Sequence, residues 1–182
     1  MTDAPAEPER RPRIPQAEDF PDRGPNALGL LSGRAWARII DAVIVTAPFL
    51  VILYLLILPT TGPDLQPTAR TDEVTEQYQW LLPVGSLVLG VVYETVACAW
   101  KGRTFGKALL GLRMARYADG GTPDLGQAAL RALLPAAAGA LTYAIFKMST
   151  LGLLAVLGSA YFLPLRRGWH DLAGGTVVIR TR

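Results

Sequence analysis

GRAWARIIDAVIVTAPFLVILYLLIL, from Gly33 to Leu58, is the stretch that decides the fold. Beyond Asp41 it runs seventeen residues without a charge, and counted from Ala35 it is long enough for a helix that crosses a bilayer. A hydrocarbon layer of about 30 Å needs roughly 20 residues at the helical rise. The start of the stretch holds Arg34, Arg38 and Asp41. Arg34 and Asp41 stand seven residues apart and share one helix face. Arg38 lies three residues before Asp41, a spacing within reach of an ion pair. A lone carboxylate in hydrocarbon costs about 2.5–3.5 kcal/mol at the helix centre and less near the ends. The three charges therefore read as a cluster that faces protein rather than lipid.

The rest of the composition agrees with a membrane protein. The chain has 182 residues, 51% of them hydrophobic, and the apolar ones come in blocks. Cys98 is the only cysteine, so an intramolecular disulfide is excluded and the residue reads as small packing. Residues 1–28 carry six prolines among mixed charges, with too little apolar surface to offset the entropy of ordering. They are expected to form a disordered cytoplasmic tail before a membrane domain at 29–182. No secretory signal is expected, because the first apolar block is long and begins far from Met1.

Pro48 sits inside the first span, where lipid-embedded neighbours tolerate it as a kink or a packing feature. The polar connection 59–79 is acidic. Its opening LPTTG (Leu58 to Gly62) resembles a sortase signal, but a helix stop and turn explain it better so far from the C-terminus. A second span, about Trp80 to Trp100, is bracketed by interfacial tryptophans and contains Glu94. In an antiparallel pair, Glu94 falls near the depth of Asp41. Residues 101–131 are basic, which puts that loop and both termini in the cytoplasm by the positive-inside rule.

Within the basic loop, GRTFGKA (Gly102 to Ala108) has the wrong glycine spacing for a phosphate loop and lacks Ser or Thr after Lys107. Leu112–Tyr117 reads as a short strand, and Thr122-Pro123-Asp124 as a helix start. Ala128 to Leu165 is too long for one crossing and is interrupted by Lys147, Ser149 and Thr150. It is expected to form a hairpin with arms Ala128–Phe146 and Leu151–Leu165, and with Arg131 snorkelling to the interface. Ala128, Ala132, Ala136, Ala140 and Ala144 form a small-residue stripe, which Ala155 and Ser159 match on the second arm. Thr176–Arg180 is a strand that pairs with Leu112–Tyr117. The fold class is thus an all-α membrane protein, a four-helix bundle of two full spans plus a hairpin, with a small two-stranded cytoplasmic β element.

Three segments together resemble the RDD family of small bacterial membrane proteins. GRAWARIID supplies Arg34 and Asp41, matching the family's arginine and first aspartate. GRTFGKALLGLRMARYADGGTPDLGQAALR resembles the G-x-T-x-G-K…G-L-R segment and ends at Arg131, with Met114 where valine is usual. WHDLAGGTVVIR places Asp171 at the second aspartate. Glu94 matches an acidic position of some relatives. The resemblance implies a multi-span protein of the bacterial inner membrane, and cation–proton exchange has been suggested for some members.

The candidate site is therefore Arg34, Arg38, Asp41, Glu94, His170 and Asp171. In one reading Asp41 and Glu94 carry a proton or small cation, Arg34 tunes them, and His170-Asp171 relays protons, since an unperturbed histidine titrates near neutrality. In the other, the charges form a permanent knot in a non-transporting scaffold or assembly subunit. Neither reading is enzymatic: there is no nucleophile–base set, no metal cluster and no cofactor cradle. The partners considered are the lipid bilayer, a small cation or proton, and a second copy of the chain; nothing points to nucleic acid.

Overall fold

A computed structural model describes residues 15–61 and 81–182. In chain order the elements are α1 (Leu31–Thr61), α2 (Leu81–Lys101), α3 (Phe105–Leu109), β1 (Leu112–Arg116), α4 (Leu125–Phe146), α5 (Ser149–Gly158), α6 (Trp169–Ala173) and β2 (Thr176–Arg180). Much of the acidic connection, Gly62 included, and Trp80 lie outside the described residues, and α1 runs on through Leu58–Thr61.

α1, α2 and α4 are each long and apolar enough to cross a membrane by length and composition. Their outward faces carry Ile39, Val43 and Val51 on α1, Val88, Val92 and Val96 on α2, and Leu141 and Ile145 on α4, all exposed. Exposed apolar surface on this scale is costly in water and is the surface that lipid covers.

The expected second arm of the hairpin is shorter than its sequence. α5 has ten residues, about 15 Å at the helical rise, and the helical run then tightens into a 3-10 turn at Ser159–Tyr161. A second 3-10 turn follows at Pro164–Arg166, with Leu165 and Arg166 at positive φ. Proline restricts that segment and ends regular helix before Leu165. Only three helices therefore have spanning length among the described residues.

Asp124 starts α4 with a capping box, its side chain accepting from the Gln127 N–H and the Gln127 side chain accepting from the Asp124 N–H. Lys147 ends the helix in the left-handed conformation at φ 57°, and α5 turns back along α4. The two helices approach most closely at Gly139 and Gly152. A Cβ on Gly152 would stand 2.1 Å from the Ala138 carbonyl oxygen, so only glycine fits there. The buried face of α4 is Ala128, Arg131, Ala132, Pro135 and Gly139, while Ala140 and Ala144 are exposed. On α5 the buried positions are Gly152 and Val156, followed by Ser159, with Ala155 exposed. The alanine stripe thus begins on the right face and drifts off it, because a four-residue repeat outruns the 3.6-residue turn.

β1 and β2 pair antiparallel, with Met114 opposite Val178. Residues 26–29 run along the free edge of β2: the Asn26 N–H donates to the Arg180 carbonyl, the Arg180 N–H to Ala27, and the Gly29 N–H to Val178. The expected disordered tail covers residues 1–28. Residues 1–14 lie outside the described part, whereas Phe20 and Leu28 pack on Ala115, Val177 and Ile179, and Ala27 is buried. The Tyr117 hydroxyl donates to the Pro15 carbonyl. Burial against the sheet supplies from tertiary contact the apolar surface that the segment lacks by itself.

Candidate functional site

The charged side chains that the helices bury meet in one layer, at the sheet end of α1, α2 and α4. Glu94, on α2, is buried and surrounded by three cations. Lys107 Nζ lies 2.9 Å and Arg131 Nη1 2.8 Å from Glu94 Oε1, while Arg38 Nη1 contacts Oε2. Arg131 does not stop there. Its Nε lies 2.6 Å from Asp171 Oδ1, so one guanidinium spans α2, α4 and α6. The fork of an arginine aims its donors in separate directions and so reaches two carboxylates at once, whereas an ammonium gathers its three donors on one nitrogen.

Asp171 is fully buried at the third position of α6. Besides Arg131 it takes Arg34 Nη1 at 3.3 Å and the Gly168 N–H at 3.2 Å. Burial opposes its charge, but the Arg131 guanidinium, His170 and Arg34 outweigh that and hold its carboxyl well below the usual range. Arg34 also donates to the carbonyls of Arg166 and of Val178, the latter at 3.0 Å, which ties α1 to the chain before α6 and to β2. Arg167, outside the spanning helices, donates from Nε to the Thr176 carbonyl at 2.9 Å and lies over the Tyr117 ring at 3.8 Å from its centroid.

Asp41 stands apart from this ion-pair network. The pairing with Arg38 suggested by their spacing is not made, because Arg38 turns to Glu94 on the neighbouring helix. Asp41 accepts instead from the Tyr93 hydroxyl at 2.9 Å, the Thr104 hydroxyl at 2.5 Å and the Gly106 N–H at 2.8 Å. The GRTFGKA segment is therefore a clamp on α1. Thr104 caps α3 while it binds Asp41, and a Cβ on Gly106 would stand 2.3 Å from the Ala37 carbonyl oxygen. Glycine lets α3 sit directly on α1. Lys107, the residue after Gly106, points away to Glu94 with its Nζ also 3.7 Å from Cys98 Sγ.

His170 is buried at the same level, with Nε2 3.6 Å from Asp171 Oδ2 and Nδ1 without a hydrogen-bond partner. Burial pushes its pKa down to about 4, against the pull of Asp171. Its neutral form therefore persists to lower pH than that of an unperturbed imidazole.

The sequence-derived site residues thus divide three ways. Arg34, Arg38, Glu94 and Asp171 enter one network; Asp41 has a separate hydrogen-bonded seat; His170 is a neutral neighbour. Arg131, expected to snorkel, is 2% exposed and lies at the centre of the network. Its seat on the α4 face that meets α2 and α6 leaves no route to the interface. Lys107, Tyr93 and Thr104 also stand outside the sequence-derived set. A lysine inside a glycine-rich loop and a tyrosine one position before the intramembrane glutamate were the available signals. No group of three or more His, Cys, Asp or Glu side chains is placed to hold a metal among the described residues.

Above the charged layer, between α1, α2, α4 and α5, lies a cavity of about 260 Å³. Arg38, Asp41, Tyr93, Glu94 and Thr104 form its polar end; Val45, Leu87, Val91, Leu153 and Leu157 line the remainder.

Three apolar helices of spanning length around a buried ion-pair layer point to a multi-pass membrane protein. The chain belongs to the RDD family, whose family model matches residues 28–175. No curated protein and no solved structure matches it.

Proposed function

We propose that this RDD-family protein is a non-transporting structural or assembly subunit of the cell membrane, and that its charged layer is a permanent lock. One observation carries the reading: the carboxylates of the cluster are already occupied. Glu94 has three cationic partners, Asp171 has two arginines and a backbone N–H, and Asp41 has three hydrogen-bond donors. Four cations (Arg34, Arg38, Lys107 and Arg131) pair with two of these carboxylates, Glu94 and Asp171. A carrier for a small cation needs a carboxylate that exchanges partners at low cost, and breaking a buried pair costs about 3–5 kcal/mol.

The same reading sets the topology. β1 and β2 pair, so the chain before α4 and the chain after α5 lie on one side of the membrane. The hairpin then enters and leaves by the same face, with α5 as a short re-entrant arm in place of a full span. A cytoplasmic location for that face and for both termini is supported by the exposed Lys101 and Arg103, through the positive-inside rule.

A second reading, passage of protons or small cations, draws on a different observation. Asp41 lines the cavity and has no cationic partner among the described residues. Ion flux in sealed vesicles separates the two. Under the lock, Na⁺, K⁺ or Li⁺ collapses an imposed pH gradient no faster with the protein than without it. A cation-dependent collapse that disappears in Asp41→Asn, with both proteins inserted, establishes transport and removes the lock as the protein's function.

A further inference from the structure

We infer that the cavity is a binding site for a single-chain amphiphile with a carboxylate head, of the fatty-acid class. The inference does not depend on whether the charged layer is a lock or a carrier. It starts from Arg38, which lines the cavity and uses only half of its fork. Nη1 is on Glu94, whereas Nη2 is buried without a hydrogen-bond partner. A buried guanidinium nitrogen left unmatched is a donor waiting for an acceptor, and a carboxylate is its natural one.

Charge favours an anion there. Glu94 already faces Arg38, Lys107 and Arg131, so its own negative charge is more than offset at the polar end. Asp41 is the opposing group on the cavity wall. Its oxygens are held by Tyr93, Thr104 and Gly106, which leaves little room for it to accept from an ammonium head. Across the whole layer cations outnumber carboxylates by one, with His170 neutral.

Shape favours one hydrocarbon chain. Beyond the polar end the lining is mostly aliphatic, with Thr46 and Ser86 as its polar exceptions, and the space lies just under the range of about 300–1,000 Å³ usual for drug-sized ligands. Farther along α1 and α2 Phe49 packs on Gly85, where a Cβ would stand 2.5 Å from the ring, while the charged side chains mark the polar end. Between them Gly90 lines the cavity with nothing within 4 Å of an added Cβ. The glycine keeps open a space that a larger residue would fill without disturbing a neighbour.

The test is photolabelling of the full-length protein in phosphatidylcholine nanodiscs with a diazirine-bearing hexadecanoic acid, the labelled residues being mapped by mass spectrometry. Labels are expected on cavity-lining residues such as Val45, Val91 and Leu157. Dodecanoate should compete, dodecan-1-ol should compete about tenfold more weakly, and inorganic phosphate should not compete. Arg38→Gln should reduce cavity labelling about tenfold. Gly90→Leu, which leaves every charged group in place, should abolish it while the protein keeps its monodisperse elution. Undiminished labelling in a well-folded Gly90→Leu protein overturns the proposal. Competition by dodecylammonium at least equal to that by dodecanoate also overturns it, because the head would then belong to Asp41.

Discussion

Arg131 Nη1 lies 2.8 Å from Glu94 Oε1, joining two helices at positions 37 residues apart in the chain. The same guanidinium holds Asp171, so removing it leaves two buried carboxylates short of a partner. Arg131→Ala is expected to cost about 3–5 kcal/mol, enough to abolish folded protein in many single-domain chains. Arg131→Lys should restore only part of it, since one ammonium cannot face both acids in the fork's geometry. Folded yield by fluorescence-detected size exclusion reads both variants, and equal yields for Ala and wild type would show that the bridge carries no stability.

Asp41→Asn is expected to be milder. The carboxamide keeps one acceptor oxygen, but its NH₂ must face the Tyr93 hydroxyl and Gly106 N–H on one side or the Thr104 hydroxyl on the other. The hydroxyls can rotate to accept, whereas a backbone N–H cannot. The expected loss is about 1–3 kcal/mol, visible as a lower melting temperature in detergent without loss of expression. Thr104→Val should lower it in the same direction and add little in the double variant, because both act through one contact.

Much of this arrangement was legible in the sequence, and the limits have physical causes. The spans, the Asp124 helix start and the pairing of Leu112–Arg116 with Thr176–Arg180 follow from local pattern alone. That Arg34 and Glu94 lie in one layer also follows, from the depth of each charge in an apolar block, and Asp171 joins them from its place just beyond the last apolar arm. Which cation meets which carboxylate does not follow. Arg38 and Asp41 are within reach on one helix, yet Arg38 serves Glu94, because interhelical geometry decides among partners of similar spacing. Arg131 departs from the expected snorkel for a related reason. An arginine six residues into a helix can snorkel or turn inward, and only the neighbours of α4 choose between the two. The length of α5 was hidden by an apolar run that continues past its end, where Pro164 and the 3-10 turns shorten the helix without changing its hydropathy.

Gly152 tests the hairpin. Gly152→Ala introduces a methyl 2.1 Å from the Ala138 carbonyl oxygen and 2.8 Å from the Gly139 amide nitrogen, both backbone atoms that cannot swing away. The helices must separate, at an expected cost of about 1–3 kcal/mol. Ala155→Gly, on the exposed side of the same helix, is the control for helix propensity and should cost under about 1 kcal/mol. Thermal melting of the two in the same detergent gives the comparison, and a smaller loss at position 152 than at 155 would contradict the close approach.

His170 sets the acid limb of stability. Its pKa in the fold is about 4 against an ordinary value of 6.5, and burial is the main cause. Between those values the unfolded chain binds more protons than the folded one, so stability rises with pH through that window and falls as the pH drops from about 6.5 to about 4. Asp171 does not reverse the trend, because its carboxyl stays ionised to well below the usual range. His170→Gln removes the titrating group and should flatten the dependence of melting temperature on pH in that window, whatever it does to stability at pH 7. If wild type and His170→Gln lose stability in parallel on acidification, the imidazole is not buried in its neutral form.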